Sequence, residues 1–242
     1  MREPAMHRHI FHPSNIPISP VARDVDTDWS FFRNIAIKKT FPADSVIWSA
    51  GETFDFVFVI ENGSVRIDYT NFDGKTLCMY ILSNGMLVGE GAVLNATAHN
   101  YRCKTLGACT VYFLPAKDFT AALSSYTEFS NIILKQTAQK RLLLMRRLAR
   151  NSYGDVREKL CHFIYDCGRP YFTAEHNEIT IPFFTHQVLS ELVGVSRVAV
   201  SNCMSQLSQE GLLARKGKLL HIRDCARLIY ECTDLLHDEP IG

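Results

Sequence analysis

The sequence predicts an α+β protein with three parts: an N-terminal jelly-roll barrel (a double-stranded β-helix), a long helix, and a C-terminal winged helix-turn-helix. Short apolar segments separated by turn residues recur about every ten residues between residues 39 and 117, which is typical of a β-barrel or sandwich. A long amphipathic helical pattern follows, and after it come two short helices and a basic hairpin. We expect a flexible tail at 1–25, the barrel at 26–126, the long helix at 127–153 and the winged domain at 154–242.

The composition is that of an ordinary globular protein of one or two domains. Of the 242 residues, 47% are hydrophobic and 21% are charged, and the formal net charge is only +1. This balance excludes a strongly cationic surface over the whole molecule. Residues 1–134 hold 11 basic and 13 acidic side chains, whereas residues 135–242 hold 15 and 12. The C-terminal part is therefore the better candidate for contact with nucleic acid.

The cysteines and the N-terminal sequence indicate a reducing, cytoplasmic location. The eight cysteines include no CxxC pair, so zinc and dithiol motifs are unsupported, and we expect no required cofactor and no metal. The close histidines His7, His9 and His12 are interpreted as part of a solvated tail. No apolar run is long enough for a signal peptide or a membrane span, so we expect no membrane partner.

Turn residues divide the barrel into strands. Residues 56–60, FVFVI, predict a buried strand, and Asn62-Gly63 after it predicts a tight hairpin turn. Apolar and polar residues then alternate from 65 to 69, which predicts another strand. Asp73-Gly74 predicts a further turn before a strand at 77–82.

The long helix carries apolar residues on two faces, so it needs two partners. We expect these to be the barrel and the same helix of a second subunit. One apolar stripe comprises Leu134, Ala138, Leu142 and Met145, and Leu144 and Leu148 widen it. The polar surface is interpreted as a solvated basic face made of Lys135, Lys140, Arg141, Arg146, Arg147 and Arg150.

Residues 185–209 predict a helix-turn-helix. Gly194 suits the left-handed turn that ends the first helix, and Ser196 can cap the second. Arg197 in the first turn of the second helix can donate two parallel hydrogen bonds to guanine O6 and N7. The basic hairpin that follows suits a wing lying on phosphate. The candidate DNA-binding residues are Thr185, His186, Ser196, Arg197, Val198, Ser201, Asn202, Lys216 and Lys218.

Four stretches are specific enough to identify a family. They are GETFDFVFVIENGSVRI at 51–67, Gly89-Glu90, GDVREKL at 154–160 and LVGVSRVAVSNCMSQLSQEGLL at 192–213. Together with the order of the parts they resemble the Crp/Fnr family of bacterial transcription regulators, from about Phe31 to Asp224. The resemblance implies a homodimer paired through the long helix, binding to palindromic double-stranded DNA, a small-molecule effector in the barrel, contact with RNA polymerase, and no enzymatic activity.

The sequence departs from the cyclic-AMP-responsive members of this family. In those members an Arg-Ser pair holds the cyclic phosphate, and a Thr-Ser pair on the long helix meets the adenine. Here the matching positions are Asn100-Tyr101 and Leu144-Met145. Loss of a bidentate guanidinium contact costs about 1.5–3 kcal/mol. The expected effector-binding residues are Tyr80, Gly89, Glu90, Asn100, Tyr101, Leu144 and Met145, although Glu90 could equally support the turn at Gly89.

This pocket is more apolar and aromatic, and it is most similar to the branch that responds to aromatic or halogenated-phenol effectors. A cyclic-AMP-responsive Crp-type activator and a haem or redox sensor stay open as alternatives. Haem or thiol chemistry would use Cys78, Cys103, Cys109 or His99. The lack of any cysteine before Cys78 argues against an iron–sulfur cluster, and a single histidine in the barrel argues against a cupin-type metalloenzyme. The wing argues against a module that regulates a protein partner instead of DNA.

The recognition helix also departs from the family pattern for a TGTGA half-site. Many members carry Glu directly after the first-turn Arg and a second Arg nearby, where this chain has Val198 and Asn202. Valine can pack on a thymine methyl group, and asparagine can pair with adenine N6 and N7. We therefore expect a half-site that keeps a guanine for Arg197 and is otherwise richer in A·T pairs.

Overall fold

The computed structural model describes residues 21–22, 27–168 and 177–232. The tail expected at 1–25 therefore lies outside the described residues, apart from 21–22. In chain order the elements are β1 (Val21–Ala22), α1 (Ser30–Ile35), β2 (Ile37–Phe41), β3 (Val46–Trp48), β4 (Phe56–Asn62), β5 (Ser64–Thr70), β6 (Thr76–Ser83), β7 (Leu87–Val88), α2 (Glu90–Asn95), β8 (Arg102–Thr105), β9 (Cys109–Pro115), α3 (Ala116–Ser125), α4 (Thr127–Tyr153), α5 (Val156–Gly168), β10 (Ile179–Pro182), α6 (His186–Val193), α7 (Arg197–Gln209), β11 (Leu213–Lys216), β12 (Leu219–Ile222) and α8 (Cys225–Tyr230).

The first nine strands form two facing sheets, which confirms the predicted barrel. One sheet has the order β1-β6-β5-β8-β3 and the other has the order β2-β9-β4-β7. Trp48, Phe58, Ile60 and Phe113 are among the side chains buried between them. Nearly all strand pairs are antiparallel, with β1 beside β6 as the parallel pair in the described part of the chain.

Asn62 and Gly63 do not form the predicted hairpin turn. β4 pairs with β7 and β9, whereas β5 pairs with β6 and β8, so the chain passes from one sheet to the other at Gly63. Gly63 has a φ of 102°, and a Cβ atom there would lie 2.6 Å from the carbonyl oxygen of Ala108. Only glycine permits this approach. Asp73-Gly74 does join a hairpin, since Thr70 pairs with Thr76 across it.

Two charged residues of β5 are removed from solvent, although they alternate with apolar residues. Arg66 is 9% exposed and Asp68 is 1% exposed. Helix α6 packs against the neighbouring strand β6, and its Glu191 reaches Arg66. The alternation of period two is present, but the second face of the sheet is covered by protein instead of water.

Helix α4 presents one face to the barrel and another to solvent. Phe129 and Ile133 are buried against α1, α3 and the barrel. On the opposite side Leu134 is 68% exposed, Met145 is 60% exposed and Leu148 is 68% exposed. A single chain therefore leaves an apolar stripe of this helix uncovered.

Two residues of the supposed solvated basic face are engaged with the barrel. Lys140 is 7% exposed, and half-buried Arg147 donates hydrogen bonds to the carbonyl oxygens of Cys78, Met79 and Leu192. Positions 140 and 147 share the barrel-facing side of the helix, because residues three, four and seven apart lie on one face. Lys135, Arg141 and Arg146 are exposed, and the side chain of Arg150 lies outside the described residues.

The C-terminal part is a winged helix-turn-helix, as predicted. A three-stranded sheet of order β10-β12-β11 packs against α5 and α7, and α5 in turn contacts α6 and α8. Its apolar core is continuous with the outer face of the barrel, since Cys78 and Ile81 of β6 belong to the same buried cluster as Leu189 and Leu192 of α6. None of the helices in the described ranges has the length and apolar character that a membrane crossing requires.

Candidate DNA interface and effector site

The fold of the helix-turn-helix orients the start of α7 outward. Gly194 adopts a left-handed conformation with φ of 75° and ends α6, and the Ser196 hydroxyl accepts a hydrogen bond from the backbone N–H of Ala199 at 3.1 Å. Both features are those expected from the sequence. The inner face of α7 is held by a buried set consisting of Val200, Cys203, Met204 and Leu207.

Most predicted base-contacting residues of α7 lie on its exposed side. Ser196, Arg197 and Asn202 are exposed, and Val198 is 69% exposed. Ser201 is half-buried between the two faces. An exposed guanidinium at a helix start, flanked by a short apolar and a short amide side chain, can contact the edges of base pairs in a major groove.

Helix α6 begins with a capped threonine at the edge of this surface. The Thr185 hydroxyl accepts a hydrogen bond from the backbone N–H of Val188 at 3.2 Å, and its own proton stays available to a phosphate oxygen. His186 is half-buried, with its ring centroid 6.1 Å from that of Phe183. Both predicted residues thus lie at the first turn of α6, where backbone N–H groups also suit phosphate.

The wing is formed by β11 and β12 around Gly217. Lys216 and Lys218 flank the turn and are exposed. Arg215 was not among the predicted DNA-binding residues. Its guanidinium carbon lies 3.9 Å from the centroid of the Phe183 ring, and its Nε donates to the Gly217 carbonyl at 3.0 Å. Arg215 therefore ties the wing to the strand-to-helix connection before α6. In the sequence, the feature that points to Arg215 is its position next to Lys216 and near Lys218.

On the barrel, Gly89 and Glu90 lie where α2 begins. Gly89 has a φ of 98°, and a Cβ atom there would lie 3.1 Å from the carbonyl oxygen of Phe56, so glycine is required for both reasons. The Glu90 carboxylate accepts a hydrogen bond from Lys140 Nζ at 2.6 Å, and Lys140 also donates to the Leu87 carbonyl at 2.6 Å. Glu90 is thus already paired with a buried cation that the sequence analysis assigned to solvent.

Gln136, one turn before Lys140 on α4, makes a similar contact. Its Oε1 accepts from the Leu87 N–H at 2.8 Å, and its Nε2 donates to the Gly85 carbonyl at 2.8 Å. The barrel-facing side of α4 therefore contacts the backbone around β7 through polar groups. This arrangement links α4 mechanically to the segment that carries Gly89 and Glu90.

Three tyrosines surround the other side of this segment. Burial raises the pKa of the Tyr80 hydroxyl to about 12, and the nearby Glu90 and Tyr101 add to the shift. The rings of Tyr69 and Tyr101 meet edge to face with centroids 6.2 Å apart. Asn100 beside them is exposed. The structure therefore places Glu90 and Tyr101 near Tyr80 and offers aromatic surface there.

His99 lies under this group and is stacked on Trp48, with ring centroids 4.1 Å apart. Burial lowers the pKa of its imidazole, against the opposing effects of the Phe54 carbonyl and Glu90. Its Nε2 is buried near Gly89 and has no hydrogen-bond partner in the part of the chain that the structure describes. The Trp48 indole N–H donates to the Tyr101 carbonyl at 2.9 Å, which holds the segment from 99 to 101.

Leu144 and Met145 do not both join this group. Leu144 is half-buried, whereas Met145 is 60% exposed and belongs to the outward stripe of α4. Leu143 is the residue that packs against the barrel core at this level. The register of α4 is the cause, because residues 136, 140 and 143 follow the barrel-facing side and residue 145 is turned away from it.

The barrel thiols lack the solvent exposure and the lowered pKa that reactive cysteines have. All eight cysteines are buried. Burial raises the pKa of Cys78 and of Cys109 to about 12, and it raises the pKa of Cys103 well above its ordinary value. Within the described ranges no three His, Cys, Asp or Glu side chains converge on a metal site.

Two family profiles match the chain, and they cover the two regions described above. The cyclic nucleotide-binding domain matches residues 38–126, and the Crp-like helix-turn-helix domain matches residues 158–230. Among similar proteins, the probable transcriptional regulator flp of Lacticaseibacillus casei is 25% identical over 171 residues, 71% of this chain and 76% of that protein. The cAMP-activated global transcriptional regulator CRP of Haemophilus influenzae is 22% identical over 199 residues, 82% of this chain and 88% of that protein.

Solved structures show the same fold. The c-di-GMP-responsive global regulator CLP of Xanthomonas campestris superposes with a TM-score of 0.72 at 19% identity, covering 79% of this chain and 95% of that one. At this identity the similarity concerns the fold alone.

Proposed function

The chain belongs to the Crp/Fnr family of transcriptional regulators, and from this premise we propose that it acts as a homodimer on a palindromic operator, controlled by a small effector other than cyclic AMP. The family assignment makes it a regulator with an effector-binding domain and a DNA-binding helix-turn-helix, and not an enzyme. The observation that carries the proposal is the exposed start of α7, where Arg197, Val198 and Asn202 face outward. Contact with RNA polymerase and a cytoplasmic location complete the proposal.

The DNA-binding residues are proposed as two groups. Arg197, Val198, Ser201 and Asn202 would contact base edges, whereas Thr185, His186, Ser196, Lys216 and Lys218 would contact phosphates. A bidentate contact from Arg197 to guanine and contacts from Val198 and Asn202 to A·T pairs support a half-site of the expected composition.

The homodimer is supported by the uncovered stripe of α4. Leu134, Leu142, Met145 and Leu148 follow one face with the spacing of a helix seam, and all of them are largely exposed in the single chain. Two α4 helices paired through this stripe would place two copies of α7 about a two-fold axis. A palindromic operator follows from that symmetry.

An effector other than cyclic AMP is supported by the polar groups around Glu90. A cyclic phosphate needs a guanidinium, and Asn100-Tyr101 supplies none. Arg102, the next residue, is directed to Asp68 at 3.0 Å. The Glu90 carboxylate is paired with Lys140, which leaves it fewer free lone pairs for a ribose hydroxyl. The tyrosines 69, 80 and 101 favour a ligand with an aromatic ring.

Cyclic AMP is the second candidate, because several similar proteins are cyclic-AMP-activated and Glu90 retains its place at the start of α2. A haem or thiol sensor is less well supported. A reactive thiol needs a lowered pKa and access to solvent, and the barrel cysteines have raised pKa values and are buried.

Fluorescence anisotropy on labelled DNA from upstream of the protein's own gene tests the proposal. The full chain is titrated alone, with cyclic AMP, and with a panel of phenols and chlorinated aromatic acids. We expect an aromatic compound to change the affinity and cyclic AMP to leave it unchanged. A change caused by cyclic AMP would contradict the effector assignment, and a lack of any DNA binding would contradict the operator assignment.

A further inference from the structure

A row of four charged side chains crosses from the barrel to the helix-turn-helix. Arg66 Nε donates to Asp68 Oδ1 at 2.7 Å, and Arg66 Nη2 donates to Glu191 Oε2 at 2.8 Å. Arg102 Nη2 donates to the second Asp68 oxygen at 3.0 Å. The four residues therefore form a continuous row, Arg102–Asp68–Arg66–Glu191, from β8 through β5 to α6. We call it the charged row.

The centre of the charged row is removed from water. The Asp68 side chain is fully buried and the Arg66 side chain is 10% exposed, while Glu191 is 19% exposed and Arg102 is 40% exposed. A buried guanidinium must have its charge and its donors satisfied. The charge and donors of Arg66 are satisfied only while α6 stays against the barrel. Glu191, one of the two carboxylates that accept hydrogen bonds from Arg66, belongs to the winged domain. Glu191 is itself oriented by Gln187, whose Nε2 donates to Oε1 at 2.9 Å.

One end of the charged row adjoins the candidate effector site. Arg102 directly follows Asn100-Tyr101 in the chain, and Tyr101 packs on Tyr69, the neighbour of Asp68. A ligand that displaced the Tyr101 segment would therefore also displace Arg102, which donates a hydrogen bond to Asp68. The other end is at α6, which supports the recognition helix.

Further contacts reinforce the same boundary. Arg147 of α4 donates to the Cys78 and Met79 carbonyls of β6 and to the Leu192 carbonyl of α6. A Cβ atom built at Gly194 would lie 3.2 Å from Leu77 Cδ1, so the turn of the helix-turn-helix lies directly on the barrel. The relative position of α6 and β6 is thus fixed by apolar, backbone and ionic contacts together.

We propose that the charged row Arg102–Asp68–Arg66–Glu191 is a positioning device that holds the helix-turn-helix against the barrel and connects its placement to the segment at 100–102. The device reaches the recognition helix through α6, which makes the orientation of α7 depend on groups beside the effector site. It does not depend on which ligand binds there.

Hydrogen–deuterium exchange of the full chain, followed by mass spectrometry of peptides, tests the proposal. Glu191→Gln keeps the shape of the side chain and removes its charge. In this variant Arg66 still donates its hydrogen bond to Asp68. Arg102→Gln removes the far end of the row. The matched control is Lys104→Gln, two residues along the same strand, whose ion pair with Asp44 leads away from α6.

We expect Glu191→Gln to speed exchange in α6 and β6 about tenfold, since a charge-assisted hydrogen bond is lost. Arg102→Gln should speed exchange in α6 by a smaller factor, and Lys104→Gln should leave α6 as in the wild type. Peptides from α3 serve as an internal reference for global stability.

Unchanged protection of α6 in Glu191→Gln would overturn the proposal. So would equal exchange of α6 in Arg102→Gln and Lys104→Gln, because the connection to the effector segment would then be absent. Exchange is measured without DNA or ligand, so these outcomes are separate from a failure of the proposed operator or effector.

Discussion

The ion pair between Lys140 and Glu90 shows how much one residue can alter the candidate effector site. Breaking a buried pair leaves an uncompensated charge and costs about 3–5 kcal/mol. We predict that Lys140→Met and Glu90→Gln each lower the free energy of unfolding by about 3 kcal/mol, measured by urea denaturation. The double variant should lose less than the sum, because the two changes remove one interaction.

The control for this pair is Lys38→Met. Lys38 pairs with Glu61 at 2.8 Å, but its side chain is 55% exposed, so we expect little change in stability. Equal losses in Lys140→Met and Lys38→Met, or strict additivity in the double variant, would show that Lys140 and Glu90 do not act as a pair.

Arg197 is the residue on which the proposed base readout depends most. We predict that Arg197→Ala weakens binding to the operator by about 1–3 kcal/mol and relaxes the preference for guanine at one position of each half-site. The measurement is anisotropy on the wild-type operator and on operators with that guanine replaced. Arg223→Ala removes an equal charge from an exposed site outside the predicted interface, and should keep both the affinity and the base preference. Retention of the preference in Arg197→Ala would exclude its role.

The sequence identified residues whose roles follow from local geometry and missed those whose partners are distant. Ser196 and Gly194 were found because capping and helix termination depend on neighbouring residues. Lys140 was assigned to solvent and Arg66 was given no role, because their partners lie 50 and 125 residues away in the chain. No spacing rule connects such positions, because only the packing of separate elements brings them together.

At the scale of elements, helix α4 is the proposed site of dimerisation. We predict that Leu148→Glu converts a dimer into monomers at micromolar concentration, because two carboxylates would meet across the apolar seam. Light scattering after size-exclusion chromatography measures the mass. Leu94→Glu changes a leucine of comparable exposure on α2 and should leave the dimer intact. A persistent dimer in the combined variant Met145→Glu/Leu148→Glu would place the interface elsewhere.

The contacts between α5, α7 and α8 predict a pH dependence of stability. Arg157 donates to Glu231 at 2.6 Å and 2.7 Å and to Glu210 at 2.7 Å and 2.9 Å. Its guanidinium holds the pKa of both carboxyls below the ordinary value of 4.5. The folded state therefore binds fewer protons than the unfolded state in acid, so this contribution is present above that value and is lost as pH falls through the lowered pKa.

In Arg157→Gln the carboxyl pKa values should return toward 4.5. We predict that its free energy of unfolding falls less steeply between about pH 5 and pH 3 than that of the wild type. Urea denaturation across that range tests this, with Arg223→Gln as the control that keeps the wild-type slope. Parallel slopes in the wild type and Arg157→Gln would contradict the assignment.

The elements themselves were predicted well, and their pairing less so. The strands at 56–60 and 77–82 and the helix pair around Gly194 are present where periodicity placed them. The hairpin at Asn62-Gly63 is wrong, because the same two residues also suit a corner between sheets. The approach of Ala108 that makes glycine necessary at position 63 comes from 45 residues further along the chain and has no local signal.

For the whole molecule, charge distribution predicts how DNA binding responds to salt. The net charge is +1, so attraction to DNA must come from local groups such as the wing. We predict that Lys216→Ala reduces the slope of log K against log salt by roughly 1 to 2, since a dimer loses one phosphate contact per subunit at about 0.9 each. Lys117→Ala, exposed on the barrel, should leave the slope unchanged. A wild-type slope in Lys216→Ala would remove the wing from the interface.

Because all eight cysteines are buried, we expect the folded protein to react slowly with sulfhydryl reagents. Each thiol can then be labelled only when the structure around it unfolds locally. The native cysteines therefore act as probes of local unfolding. Cys103 and Cys109 are in the barrel, Cys161, Cys203 and Cys225 are in the winged part, and Cys78 lies where the two meet. The order in which a small alkylating agent modifies these sites would give the sequence of openings, with no engineered label.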